Sequence, residues 1–118
     1  MDNPIPEELH TSDNTAVSSD DQKGFLRQLP EWTIVDDKNI KQLQRIFSFR
    51  NFADAVIFTN HVAELAEQVD HHPAIITEWG KVTVKWWTHR IKGLHLNDFV
   101  MASRTDHAYD KLQSKAES

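Results

Sequence analysis

The sequence predicts an α+β fold, a four-stranded and mostly antiparallel sheet packed by about three helices. Three observations carry that reading. Residues 52–69 hold apolar groups at i, i+3, i+4 spacing without Gly or Pro, the signature of an amphipathic helix. Two stretches, 32–49 and 74–87, alternate apolar and polar residues about turn-forming centres, as hairpins do. No strand–helix–strand repetition with a Gly-rich turn occurs, which turns the choice away from a parallel, doubly wound sheet. A chain of 118 residues has room for one hydrophobic core and no second.

Residues 1–18 mix Asp, Asn, Pro, Ser, Thr and Glu with few large apolar groups, too little buried surface to offset the entropy of ordering. A mobile tail is expected there, and a single domain over 19–118. Ser19, Asp20 and Asp21 can cap and begin a short helix of about 20–29, with Phe25, Leu26 and Leu29 on one face and Pro30 as its stop. Trp32 and Ile34 open the first hairpin, and Asp36-Asp37-Lys38-Asn39 supplies its turn. Ile40, Leu43, Ile46, Phe47 and Phe49 form the return strand, whose apolar register shifts near Arg45-Ile46 and predicts a bulge.

Asn51 can cap the 52–69 helix, whose core line is Phe52, Ala55, Val56, Thr59, Val62, Ala63, Ala66 and Val69. A second apolar edge, Ile57, Phe58 and Leu65, widens the stripe enough to permit self-association. Ala74-Ile75-Ile76 and Val82, Val84, Trp86 form the second hairpin about Trp79-Gly80. Gly93 breaks the pattern, and a helix beginning at or just before Asn97 runs past Leu112.

Composition removes several function classes. There is no cysteine, hence no disulfide framework, thiolate chemistry or sulfur-ligated zinc. No apolar run approaches the ~20 residues that span a bilayer, and the N-terminus lacks the basic and apolar regions of a signal peptide, so a soluble, cytoplasmic protein is expected. The net charge of −5 belongs to residues 1–21, which hold Asp2, Glu7, Glu8, Asp13, Asp20 and Asp21 and no Lys or Arg. The rest carries 13 basic and 12 acidic groups, which offers neither nucleic acid nor an acidic membrane an electrostatic footprint.

Chemistry therefore has to be imidazole chemistry. His71 and His72 leave the long helix just before Pro73, which holds the preceding residue extended, and His89 follows Thr88 beyond the Trp86-Trp87 strand. Imidazole, with an unperturbed pKa near ~6.5, donates or accepts a proton close to neutral pH. Glu67 and Asp70 are near enough in sequence to hydrogen-bond an imidazole and set its tautomer. Two other readings stay open: a pair of loop histidines without function, or a zinc shell of His71, His72, His89 and water. Against zinc, adjacent histidines rarely reach one metal, and no His-x-His or His-Glu-x-x-His spacing occurs. His61 and His107 read as solvated or packed helix residues, His95 as a loop or cap, and Trp32, Trp79, Trp86 and Trp87 as core or interface.

Glu67-Gln68-Val69-Asp70-His71-His72-Pro73, then Trp79, Val82-Thr83-Val84, Thr88-His89, Gly93-Leu94 and Asp98, together resemble a pterin-4a-carbinolamine dehydratase over roughly residues 20–112. Trp32 and the Phe47-Ser48-Phe49-Arg50-Asn51-Phe52 run agree with it. The resemblance implies helices on one face of the sheet, and loss of water from 4a-hydroxytetrahydropterin to give quinonoid dihydropterin, recycling the pterin of aromatic amino acid hydroxylases. It implies no metal and no organic cofactor. On this chain it implies His71, His72 and His89 as acid–base groups, and Glu67, Asp70 and Asp98 as acidic positions that bind substrate. His71 and His89 are expected to do most of the proton transfer and His72 chiefly to bind the ring.

The chain departs from the resemblance at Arg90, where an acidic residue is frequent, at Asn97, where a basic one occurs, and at Ile75, aromatic in some relatives. These bear on the pocket rim and the pterin side chain. The resemblance also implies a homo-oligomer, dimer or tetramer, formed through helices. The alternative function is a protein-binding module of the dimerisation-cofactor or transcriptional-coactivator type that uses the 52–69 helix.

Overall fold

The computed structural model describes residues 2–10 and 15–117. The elements run α1 (Ser19–Arg27), β1 (Thr33–Asp37), β2 (Ile40–Ser48), α2 (Phe52–Val69), β3 (Ala74–Glu78), β4 (Lys81–Trp86), a 3-10 helix (His89–Ile91) and α3 (Leu96–Glu117). The strands form one sheet in the order β1-β2-β4-β3 with every neighbour antiparallel. The helices pack against it, as expected.

Local chemistry sets the boundaries. Ser18 caps α1 by accepting from the Asp21 N–H at 3.2 Å, and Asp20 and Asp21 complement the positive end of the helix dipole. Asn51 caps α2 in the same way, accepting from the Asp54 N–H at 2.8 Å. Lys38 and Asn39 both take positive φ, 53° and 66°, so a two-residue turn with the twist a hairpin favours joins β1 to β2. Gly80, at φ 79°, does the corresponding work between β3 and β4.

The expected bulge at Arg45-Ile46 is absent. β2 pairs without interruption from Leu43 opposite Trp86 to Ser48 opposite Lys81. Leu43, Arg45 and Phe47 face the helices, while Ile46 faces the other side of the sheet, as does Ile76 of β3, and both are about half exposed. A lone apolar residue on the open face had imitated a change of register. A similar shift of phase applies to α2, which buries Ala55, Phe58, Val62 and Ala66, whereas Phe52 and Ala63 are exposed. Phe58 thus belongs to the core, where Phe47 lies 4.7 Å from it by ring centroids and Tyr109 of α3 lies 5.7 Å away. Of the second apolar edge, Ile57 stays exposed and Leu65 is half-buried.

Residues 2–10 and 15–18, expected as a loose tail, form no helix or strand but lie along the domain; residues 11–14 fall outside those described. Asp2 pairs with Arg27, Ile5 donates its N–H to Gln28 Oε1, and Asn97 exchanges two hydrogen bonds with the His10 backbone at 2.6 and 2.7 Å. The Val17 N–H donates to the Leu94 carbonyl at 3.0 Å, and Ile5, Leu9 and Val17 pack on the core. Most of these anchors are side-chain to backbone contacts, to which an apolar count is blind.

An ion pair crosses the helix–sheet interface. Asp106 of α3 accepts from the Trp32 indole at 2.8 Å and from Arg45 Nη1 at 2.6 Å, while the Arg45 guanidinium lies 4.3 Å over the Phe47 ring. Burial pushes the Asp106 carboxyl above its ordinary value, and the bonds from Trp32 and Arg45 oppose it without overcoming it. Asp106→Ala strands the Arg45 charge and is expected to cost about 3 kcal/mol in urea unfolding at neutral pH. Because the native carboxyl holds its proton to higher pH than the unfolded one, its contribution is full below the ordinary carboxylate value. It is lost as pH rises through the raised native value, so wild-type stability measured against Asp106→Asn should decline across that window.

Candidate active site

The end of α2 fixes the first two imidazoles. Asp70 takes a left-handed conformation (φ 51°, ψ 44°) and its N–H returns to the Ala66 carbonyl. The His71 N–H joins the same carbonyl at 3.2 Å, a Schellman-type closure that turns the chain sharply out of the helix. An aspartate tolerates this conformation better than most non-glycine residues. The third imidazole comes from the far end of β4. Thr88 pairs with Gly93 across the 3-10 helix, and this closed loop carries His89 and Arg90 at the surface.

A carboxylate beneath the surface joins the two stretches. Asp98, fully buried in the first turn of α3, accepts from His71 Nε2 at 2.7 Å through Oδ1. Its Oδ2 accepts from the Thr88 hydroxyl at 2.8 Å and from the His95 N–H at 2.9 Å. The last of these is half of a capping box, His95 being the residue that precedes α3, with its Nδ1 accepting from the Asn97 N–H at 3.0 Å. A carboxylate only accepts, so Nε2 carries a proton, and in the neutral His71 ring Nδ1 is left with its lone pair. Trp86, buried, stacks on the His71 ring at 5.6 Å with 16° between planes, which fixes its rotation.

The other two imidazoles are held differently. His72 Nε2 meets Glu67 Oε2 at 2.5 Å, with Asp70 at 4.0 Å, and both carboxylates are largely exposed. The His89 ring contacts Trp87 at 4.6 Å and makes no side-chain hydrogen bond among the described residues.

His71, His72 and His89, with Asp70, Thr88 and Arg90, line one cavity of about 480 Å3. Of the acidic positions expected to bind substrate, Asp70 lines the cavity, Glu67 supports His72, and Asp98 lies beneath, buried and saturated with donors. Of the three departures from the resemblance, Arg90 alone lines the cavity; Asn97 is engaged with the His10 backbone, and Ile75 packs against the core. Thr88 and Trp86 escaped sequence reasoning. The Thr-His dipeptide was visible, but a threonine's partner ten residues on was not. No cluster of three or more His, Asp or Glu with metal-binding geometry occurs among the described residues.

A larger groove of about 570 Å3 lies between α2, α3 and the N-terminal segment, with His61 and His107 at its edge. Neither histidine there is paired with a carboxylate among the described residues, so acid–base chemistry is better housed in the smaller, polar cavity.

Comparison with known proteins agrees with this geometry. Residues 15–108 match the family model described as pterin 4 alpha carbinolamine dehydratase. The chain belongs to that family. A relative from Marinobacter nauticus, named for the same dehydratase, is 52% identical over 99 residues, spanning 84% of this chain and 89% of the relative. One from Saccharophagus degradans, likewise named, is 50% identical over 103 residues, with 87% and 91% covered. A Brucella melitensis crystal structure, described as a transcriptional coactivator/pterin dehydratase, superposes with a TM-score of 0.73 at 26% identity, covering 80% of this chain and 99% of that one. The dehydratase match includes every residue that lines the histidine cavity or supports it from beneath.

The buried carboxylate generates a prediction. Asp98→Ala removes the acceptor for the His71 ring, Thr88 and the His95 N–H together, and is expected to cost about 3–5 kcal/mol in urea unfolding. In a folded Asp98→Asn variant, nitrogen NMR should show the His71 ring losing its single Nε2–H tautomer while His72 keeps its own.

Proposed function

We propose that this protein dehydrates 4a-hydroxytetrahydropterin to quinonoid dihydropterin by histidine acid–base catalysis. The observation that carries it is a single cavity receiving imidazoles from two separate stretches of backbone in a chain of the dehydratase family. Hydroxide is a poor leaving group, so an imidazolium protonates the C4a oxygen and water departs. The N5 electron pair forms the new bond to C4a, and the N5 hydrogen passes to a neutral imidazole. Every atom is accounted for without an oxidant or reductant.

The three supports favour a division of labour. The His71 ring, clamped by Asp98 and Trp86, offers the lone pair of Nδ1 in a fixed orientation, suited to a base. The His89 ring, with no side-chain hydrogen bond among the described residues, is suited to deliver a proton to the departing oxygen. His72, tied to Glu67, presents its ring edge for binding. Asp98 acts through His71 as a positioning residue. Recycling of the pterin used by aromatic amino acid hydroxylases is the metabolic setting this reading supports.

Self-association belongs to the same proposal. Phe52 and Ile57 expose about half of their surface on α2, which favours burial against a second copy over solvation. No helix among the described residues is long and apolar enough to cross a membrane.

The test supplies enzymatically generated carbinolamine and follows quinonoid product against the spontaneous rate. His71→Ala and His89→Ala are each expected to lower kcat by about 10²–10⁴, while His72→Ala should act chiefly through KM. Equal activity in all three variants, or a wild-type rate no faster than buffer, would overturn the acid–base reading.

A further inference from the structure

The histidine cavity has two electrostatically unlike walls. At the end of α2, Asp70 lines it and Glu67 stands just behind, and their side chains are 96% and 73% exposed, so both can accept from a ligand. From the other stretch of backbone the 3-10 helix contributes Arg90, an exposed guanidinium with no hydrogen bond or ion pair among the described residues. Lys92 follows two residues on and closes the same turn in a left-handed conformation. Arg90 presents five N–H donors in a planar fork and cannot be neutralised near pH 7, a geometry matched to a carboxylate or phosphate.

A pterin has a matching polarity. Its 2-amino group and N3–H form a donor edge on the pyrimidine ring, and the C6 substituent leaves the opposite end of the bicycle. N5 and C4a lie between. If the donor edge faces Asp70, the C6 substituent is carried towards the 3-10 helix, and the reacting atoms sit among the imidazoles. The reverse orientation sets ring donors against Arg90, which cannot accept, and aims the substituent at two carboxylates.

Resting on the dehydratase reading and deepening it, we infer that Arg90 is a specificity-determining residue that selects pterins whose C6 side chain is anionic. The side chain is a carboxylate or a phosphate, since both fit the guanidinium fork.

The experiment compares pterin-6-carboxylate with neutral 6-hydroxymethylpterin by fluorescence titration on the full chain. Wild type should bind the carboxylate about five-fold more tightly at low salt, the upper range for an exposed ion pair, and the preference should fade as salt is raised. Arg90→Gln should abolish the preference and Arg90→Glu should invert it. The ratio of the two affinities is the readout, so a general weakening does not mimic the effect. Phosphorylated 6-hydroxymethylpterin, run in parallel, distinguishes phosphate from carboxylate. Equal affinity for charged and neutral pterins in wild type, alongside carbinolamine turnover above background, would overturn the role of Arg90 and leave the dehydratase standing. Failure to bind any of the three, with no turnover, would overturn both.

Discussion

The site depends on one buried carboxylate. Asp98 has no solvent exposure, and burial of a carboxylate is costly unless its lone pairs are met by donors aimed at them. Here three donors meet it, from the turn after α2, the loop after β4 and the entrance to α3. His71 stands 27 residues from Asp98 and Thr88 ten, so the fold brings both to it, while the His95 N–H is a local capping contact. The full set of donors is thus available only when α2, β4 and α3 have docked, and the docking that satisfies Asp98 also places His71 beside the Thr88–Gly93 loop. Folding of the core and assembly of the imidazole cavity are in this sense one event.

The aromatic layer beneath explains why the geometry is repeatable. Trp86 is wholly buried, its indole N–H donates to Thr105 at 3.1 Å, and its ring forms the stacking surface for His71. The last inward residue of β4 is therefore at once a core residue and the floor of the site. A cavity resting on such a floor has little freedom to adjust, because the interior behind it is packed to crystal-like density. The exposed half of the site, His72 with Glu67 and His89 with Trp87, has no comparable backing and retains the side-chain freedom that proton delivery requires.

How much of this was legible in the sequence follows from the range of each interaction. Period and turn chemistry are local, so α2, both hairpins and the element order could be read directly, and capping of α2 by Asn51 was visible as a residue type in the right place, whereas the α1 cap is Ser18, one residue before the Ser19 expected. Facing was less secure. Ile46 suggested a bulge because periodicity records apolar character without recording which side of the sheet is covered. The N-terminal segment lies along the domain through polar bonds to Gln28, Asn97 and Arg104 and the packing of Ile5, Leu9 and Val17, and the polar bonds are contacts that no apolar count registers. Among site residues, the three histidines were recognisable by chemistry and Asp98 by resemblance alone. That Asp98 lies under the cavity and not in it is a fact about three-dimensional convergence, and no spacing rule contains it.

The same distinction separates the two kinds of charge around the site. Asp98 is enclosed and saturated, so its work is structural orientation, and it can influence a ligand only through the ring it holds. Asp70 is almost wholly exposed beside His72 and the Arg90 guanidinium has no partner among the described residues, so each can accept or donate towards whatever enters. On the proposed reading such a site divides chemistry from recognition: proton transfer belongs to the imidazoles of the cavity, of which His71 is backed by the core, and choice of substrate to charges at the rim. A change at Arg90 then costs the fold almost nothing, because its guanidinium makes no hydrogen bond or ion pair among the described residues, whereas changes beneath disturb three segments at once. That asymmetry is why a residue such as Arg90 is the natural place for one member of a fold to differ in what it binds while retaining how it reacts.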